Sequence, residues 1–168
     1  MNTLLSVNYL AIAAAFAITA CDVEAGWKTG TTLPSLDKYE LVGTIPATAG
    51  KVILIDFWAS WCAPCKASFP ILNELHKRYG DKGLIIVAIN VDEQDSAMTK
   101  FLAAHPAAFT VVHDARHALA QAAEPQSMPS SFIIDRAGVI RFAHSGFHGA
   151  KTAKAYEEEI ESLLKETR

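Results

Sequence analysis

The sequence predicts an α/β domain in which a central mixed β-sheet is flanked by helices. Three observations carry this reading. Two apolar runs, KVILIDFW over 51–58 and LIIVAI over 84–89, have the length of strands and the unbroken hydrophobicity of strands covered on both faces. Between them, 63–79 carries Ile71, Leu72, Leu75 and Tyr79 at helical spacing, so strand, helix and strand make a right-handed parallel crossover. Farther on, two short β-type runs are joined by Asp135-Arg136-Ala137-Gly138, a connection that suits a hairpin and makes the sheet mixed.

Composition narrows the class. A chain of 168 residues is long enough to bury one real core. With 51% hydrophobic residues, 20% charged residues and a net charge of -3, it is neither a disordered chain nor a basic one, which makes nucleic acid and anionic lipid surfaces poor candidate partners. No fixed-period repeat or low-complexity tract points to a solenoid or a collagen-like array.

Residues 1–20 contain no charged side chain, and Tyr9 to Ala20 are almost continuously apolar, which reads as a signal or anchor segment. Ile18-Thr19-Ala20-Cys21 resembles the lipobox of bacterial lipoproteins, so Cys21 is a lipidation candidate; cleavage elsewhere and an uncleaved anchor helix are the alternatives. All of them set the domain outside the cytoplasm, in the periplasm or its equivalent, where a dithiol can stay oxidised, and a lipid on Cys21 or an uncleaved anchor would tether it to the membrane by its N-terminus.

The polar stretch 21–36, with Gly26, Gly30, Pro34 and several threonines, reads as a tether, and the domain proper is expected over 37–168. Tyr39 to Val42 reads as an extra N-terminal edge strand followed by the loop GTIPATAG. After the apolar strand 51–58, Pro70 lies within the helix 63–79 and is expected to kink it. The strand 84–89 is followed by an inserted helix over 96–104, with Met98, Phe101 and Leu102 inward, and a strand over 109–112. A helix over 116–123 leads to a Pro125–Pro129 turn, then strands over 131–134 and 139–143. The last helix, 151–165, puts Tyr156, Ile160, Leu163 and Leu164 on one face and leaves Glu157, Glu158 and Glu159 to solvent.

The chemistry concentrates in WCAPCK, Trp61 to Lys66. A structural zinc site needs four ligands, and Cys62 and Cys65 supply only two, with no second pair to complete the set. His113/His117 and His144/His148 have the spacing to share helix faces, a weak metal signal without placed carboxylates or thiolates, so no metal is expected. A staple is a poor use of the pair as well, since so short a loop removes little chain entropy. A dithiol that cycles between reduced and oxidised forms fits better. With the helix beginning near Cys62, that sulfur lies at a helix N-terminus, where unpaired N–H groups favour a thiolate. Cys65, one turn on, keeps the higher pKa and suits a resolving thiol, while Ala63 and Pro64 form the active-site turn, Pro64 falling where its missing N–H does no harm.

At this point IDFWASWCAPCK resembles the active-site segment of the thioredoxin superfamily, and SMPSSFIID, Ser127 to Asp135, resembles the family's strand that begins with a cis-proline beside the dithiol. The resemblance is closest to the exported TlpA/ResA-like branch and covers about residues 33–165. It implies a thioredoxin fold with an N-terminal extra strand and an inserted helix and strand. It further implies a thiol-disulfide oxidoreductase with Cys62 as nucleophile, and Trp61, Met128 and Pro129 as the surface that binds substrate. Partners would be protein thiols or disulfides and a membrane thiol-disulfide electron donor; the only cofactor would be the redox disulfide itself.

Two positions depart from that branch. Ser68 stands where many members have Glu, and Asp56 where many have Asn. A carboxylate in so apolar a strand is desolvated, its pKa raised, and fit to take a proton from Cys65; the alternative is a buried Asp that only accepts structural hydrogen bonds. Lys66 either biases Cys62 toward thiolate or is a solvated helix residue. A reductant of the cytochrome c maturation or copper-protein assembly type is the reading favoured, with a disulfide donor or isomerase and a copper-binding chaperone as alternatives.

Overall fold

The computed structural model describes residues 26–166. The expected signal segment and the lipidation candidate Cys21 lie outside the described residues. Five strands form one sheet in the order β3-β2-β1-β4-β5: β1 (Val52–Trp58), β2 (Leu84–Asn90), β3 (Thr110–His113), β4 (Ser130–Ile134) and β5 (Ile140–Ser145). Four helices connect or cover them: α1 (Ala63–Tyr79), α2 (Asp95–Ala104), α3 (Ala118–Ala123) and α4 (Ala150–Lys165). β1, β2 and β3 pair in parallel, whereas β4 pairs antiparallel with both β1 and β5, so the sheet is mixed. No helix among the described residues is long and apolar enough to cross a membrane.

β1 is the central strand and every residue of it is buried, as its unbroken apolar run requires. Alternation of side chains divides it between two layers. Trp58 faces α1 and α2, where its ring meets Phe69 and Phe101, each at 4.8 Å between centroids. Asp56, two residues earlier, shares that face. The same face takes α4, which is tied to the end of α1 by Arg78–Glu157 at 2.6 Å and by Tyr79 donating to Glu161 at 2.7 Å. α1 runs through Pro70 without interruption and closes into a short 3-10 turn, after which Gly83, at φ 104°, takes a left-handed conformation that feeds β2.

Phe57 and Phe132 face the other layer, and there the expected tether proves to be part of the domain. From Gly26 on, the stretch expected as a tether over 21–36 lies on the sheet. Trp27 packs edge-on against Phe57 at 5.6 Å and Phe132 at 5.1 Å, and Leu36 is buried. Its backbone is held as well: Gly30 N donates to Ile140 O (2.7 Å), Ile140 N to Thr31 O (2.9 Å) and Leu33 N to Gly138 O (2.8 Å). The polar composition misled because a single large aromatic, anchored by long-range contacts, is enough to dock an otherwise loop-like segment.

The extra strand expected over Tyr39 to Val42 reduces to one isolated bridge, Val42 to His113, and Val42 remains largely exposed. Gly43 at φ 127° turns the chain away directly afterwards, which ends the pairing. The inserted helix and strand are present as α2 and β3. The histidine pairs do not share helix faces: His113 ends β3, His117 precedes α3 in a left-handed conformation, His144 lies in β5 and His148 in the loop after it.

A candidate dithiol active site

The site forms where β1 ends and α1 begins. Cys62 is the N-cap of α1, with extended backbone at φ -87° and ψ 105°, and its sulfur accepts the N–H of Cys65 at 3.1 Å. Pro64 falls in the first turn, where no intrahelical donor is lost. Cys62 and Cys65 are joined as a disulfide, and both side chains are buried. The sulfur nearer the solvent is thus held against the unpaired N–H groups and the positive end of a helix of 17 residues. Lys66 is exposed, as is Trp61, at 70% of its surface; the latter stands on the rim beside a cleft of about 460 Å³ lined in part by Glu93, Gln94, Ala97 and His117.

The loop that carries the motif is fixed by a buried acid that sequence reasoning missed. Asp92, just past β2, accepts the Ser60 N–H on both carboxylate oxygens at 3.1 Å and the Ser60 hydroxyl at 3.0 Å. Asn90 donates to the same carboxylate at 2.9 Å, and the ring Nε2 of His113 bonds the Asp92 carbonyl at 2.7 Å. The links to Ser60 and His113 join positions more than twenty residues apart, and an Asn-Val-Asp following a strand carries no local sign that they will form.

On the opposite flank, the Met128–Pro129 bond is cis, Pro129 is buried and Met128 half-buried. Ser130 pairs with Phe57, so Pro129 approaches the sheet next to the strand end from which the dithiol loop departs. Gly146 N donates to the Pro129 carbonyl at 2.8 Å, and Ser130 Oγ donates to Ser127 O at 2.7 Å, which holds this turn against β5.

Asp56, two residues before the end of β1 from which the dithiol loop departs, is fully buried. Its Oδ1 accepts the Ser131 hydroxyl at 2.6 Å; its Oδ2 is buried with no hydrogen-bond partner among the described residues. Burial pushes this carboxyl from 3.8 up to about 7, opposed in part by the bond from Ser131. The Ser131 oxygen is in turn bonded to the Tyr156 hydroxyl from α4. Ser131 and Tyr156 were legible only as a strand residue and a core-facing helix residue; Ser131 meets Asp56 because it stands directly opposite it in the β1–β4 register, and Tyr156 reaches the same hydroxyl from α4. Ser68 is buried and donates to the Cys65 carbonyl at 2.8 Å, as an interior helix serine does.

His144 bonds Glu159 at 2.7 Å, and among the described residues no group of three or more His, Cys, Asp and Glu side chains is placed to hold a metal.

Comparison with known proteins places this geometry in context. The Redoxin family model matches residues 29–160. The thiol-disulfide oxidoreductase ResA of Bacillus thuringiensis subsp. konkukian is 31% identical over 114 residues, covering 68% of this chain and 64% of that protein. ResA of Geobacillus kaustophilus is 29% identical over 137 residues, covering 80% of this chain and 77% of that protein. The match to the first of these therefore spans just under two thirds of the relative's own length. Among solved structures, a thiol:disulfide interchange protein DsbE from Chlorobium tepidum superposes with a TM-score of 0.76 at 35% identity, over 83% of this chain and 99% of that one. StoA from Bacillus subtilis, at 23% identity and a TM-score of 0.57 over 65% of this chain and 84% of that one, shares the fold.

Proposed function

The chain belongs to the Redoxin family, and on that premise we propose that it is an extracytoplasmic thiol-disulfide oxidoreductase that reduces disulfides of protein substrates through Cys62 and Cys65. The observation that carries this is the Cys62–Cys65 pair at the N-terminus of α1, with the buried Asp56 in the strand that leads into it. In the reduced protein, the Cys65 N–H and the helix N-terminus stabilise a Cys62 thiolate. That thiolate attacks one sulfur of a substrate disulfide, forming a mixed disulfide and releasing the other substrate sulfur as a thiolate that takes a proton from water. The Cys65 thiol then gives its proton to Asp56 and attacks Cys62 Sγ; the Cys62–Cys65 bond forms and the second substrate thiolate leaves. The substrate is reduced by two electrons and the dithiol oxidised by two. Asp56, with its value near 7, holds a proton or releases it at neutral pH, as this transfer requires.

Trp61 and the Met128–Pro129 turn flank the dithiol and supply the contact surface for an extended substrate segment. No cofactor beyond the redox disulfide enters this scheme. A turnover returns only if a membrane thiol-disulfide donor re-reduces the pair, and the apolar segment over 1–20, with Cys21 as its lipidation candidate, tethers the domain near such a donor. The test is catalysed reduction of insulin by dithiothreitol. The full chain accelerates it, Cys62→Ser abolishes the acceleration, and Cys65→Ser accumulates a substrate mixed disulfide on Cys62. No acceleration by the unaltered chain would overturn the proposal.

A further inference from the structure

We propose that Ser131 and Tyr156 are positioning residues for the dithiol reaction, a two-hydroxyl chain that orients Asp56 and sets the pH at which it accepts the Cys65 proton. This rests on the functional reading above. Three features of the geometry carry it.

The first is donor arithmetic. Ser131 has a single hydroxyl hydrogen, and the carboxylate Oδ1 of Asp56, at 2.6 Å, takes it. The remaining Ser131–Tyr156 contact is then possible only with the Tyr156 O–H donating. Both hydroxyl dipoles therefore point toward Asp56, and in a water-poor interior such a chain strengthens each of its members.

The second is where the chain ends. Ser131 and Tyr156 are 1% and 0% exposed, and among the described residues the hydrogen-bonded chain from Asp56 ends at the Tyr156 hydroxyl. A chain that stops inside the protein serves to hold charge and fix orientation, not to conduct protons out. It also occupies Oδ1 and leaves Oδ2 as the carboxylate oxygen without a hydrogen-bond partner among the described residues, so a proton accepted by Asp56 goes there.

The third is that the chain is held from three elements. Asp56 comes from β1, Ser131 from its register partner on β4, and Tyr156 from α4. The Tyr156 ring lies edge-on against His144 of β5 at 5.0 Å, and His144 is itself bonded to Glu159 of α4. The titratable groups that the structure sets against the chain are thus Tyr156 and Glu159 on α4 and His144 on β5. Among the described residues, the Ser131 hydroxyl is the side-chain donor to the Asp56 carboxylate, and the Tyr156 hydroxyl backs it.

The consequence is directional. Burial favours the neutral acid and the hydroxyl chain favours the anion, so removing either hydroxyl lets burial dominate and moves the ionisation of Asp56 to higher pH. At neutral pH less of the base is ionised and the Cys65 step slows; at high pH the base is again fully ionised and somewhat stronger, so the step recovers. A purely structural loss would slow it at every pH.

The experiment follows resolution of a preformed Cys62 mixed disulfide in single turnover, from pH 5 to 9.5, with the full chain and its Ser131→Ala, Ser131→Thr and Tyr156→Phe variants. Ser131→Ala is expected to raise the pH midpoint by about one to two units, which slows the step at pH 7 at least about fivefold and leaves it near or above the unaltered rate at the highest pH. Tyr156→Phe, which keeps the ring, is expected to shift it in the same direction by less, and Ser131→Thr, which keeps the hydroxyl, to restore it. Unchanged midpoints with rates lowered at all pH values would overturn the proposal. Carbon-13 titration of the Asp56 carboxyl in the oxidised protein reads the same shift without activity. If the unaltered chain catalyses no exchange, the functional reading fails, while this titration still decides whether Ser131 and Tyr156 set the ionisation of Asp56.

Discussion

Replacing Asp56 by Asn should change the pH dependence of folding more than it changes stability at any one pH. In the folded protein the carboxyl holds its proton up to about 7, whereas its ordinary value is 3.8. A group that binds its proton more tightly when folded contributes stability that is complete below the lower value and is lost progressively as pH rises to the upper one. At 1.36 kcal/mol per pH unit the whole interval is worth about 4 kcal/mol, and the part lost between pH 5 and pH 8 is about 2–3 kcal/mol. The Asp56→Asn side chain cannot ionise, so this component vanishes. It accepts the Ser131 hydroxyl as Asp does but brings an amide to the Oδ2 position, where no partner waits, at a pH-independent cost of about 1–3 kcal/mol. The assay is urea denaturation of the oxidised full chain and of Asp56→Asn at pH 5 and pH 8. The unaltered chain is expected to lose about 2–3 kcal/mol more than the variant over that interval, histidine contributions being common to both. Parallel curves for the two proteins would refute a buried carboxyl with a raised value, and with it the acid-base role assigned to Asp56.

Other perturbations read other parts of the site. Asp92→Ala strands the part-buried Ser60 N–H, so a loss of about 1–3 kcal/mol in stability and slower exchange are expected, without a change in the pH midpoint. Trp61→Ala removes an exposed rim side chain; KM for a protein disulfide should rise severalfold while the rate with a small disulfide such as oxidised glutathione stays the same. Trp27→Ala deletes the anchor of the N-terminal segment and should cost about 2–4 kcal/mol by urea denaturation, whereas a true tether would tolerate it at no cost.

The sequence was most informative where one short stretch determines both structure and chemistry. α1 occupies the span expected from its periodicity, because a CAPC turn at its start and glycines at its end bracket an amphipathic run. The core strands followed from unbroken apolar runs, with ends displaced by a residue or two. Legibility failed where a feature depends on residues distant in the chain. Trp27 docks onto Phe57 and Phe132 across about thirty and a hundred positions, and nothing in its polar surroundings announces that. Tyr39 to Val42 has strand-like residues but gains only the bridge to His113, since pairing there is decided by the edge it meets. Asp56 stood out as an acid in an apolar strand, yet its partners Ser131 and Tyr156 did not. A serine opening a strand and a tyrosine on a helix face have many ordinary uses, and only the register places them in one chain.

The reduction potential of the Cys62–Cys65 couple, measured on the full chain by equilibration with glutathione or dithiothreitol buffers, tests most directly whether this protein is a reductant. A reductant is expected to give a value of about -250 mV, in the range of thioredoxin. A value near about -120 mV would mean that the reduced dithiol is the stable form, and would contradict a reductant in favour of a disulfide donor.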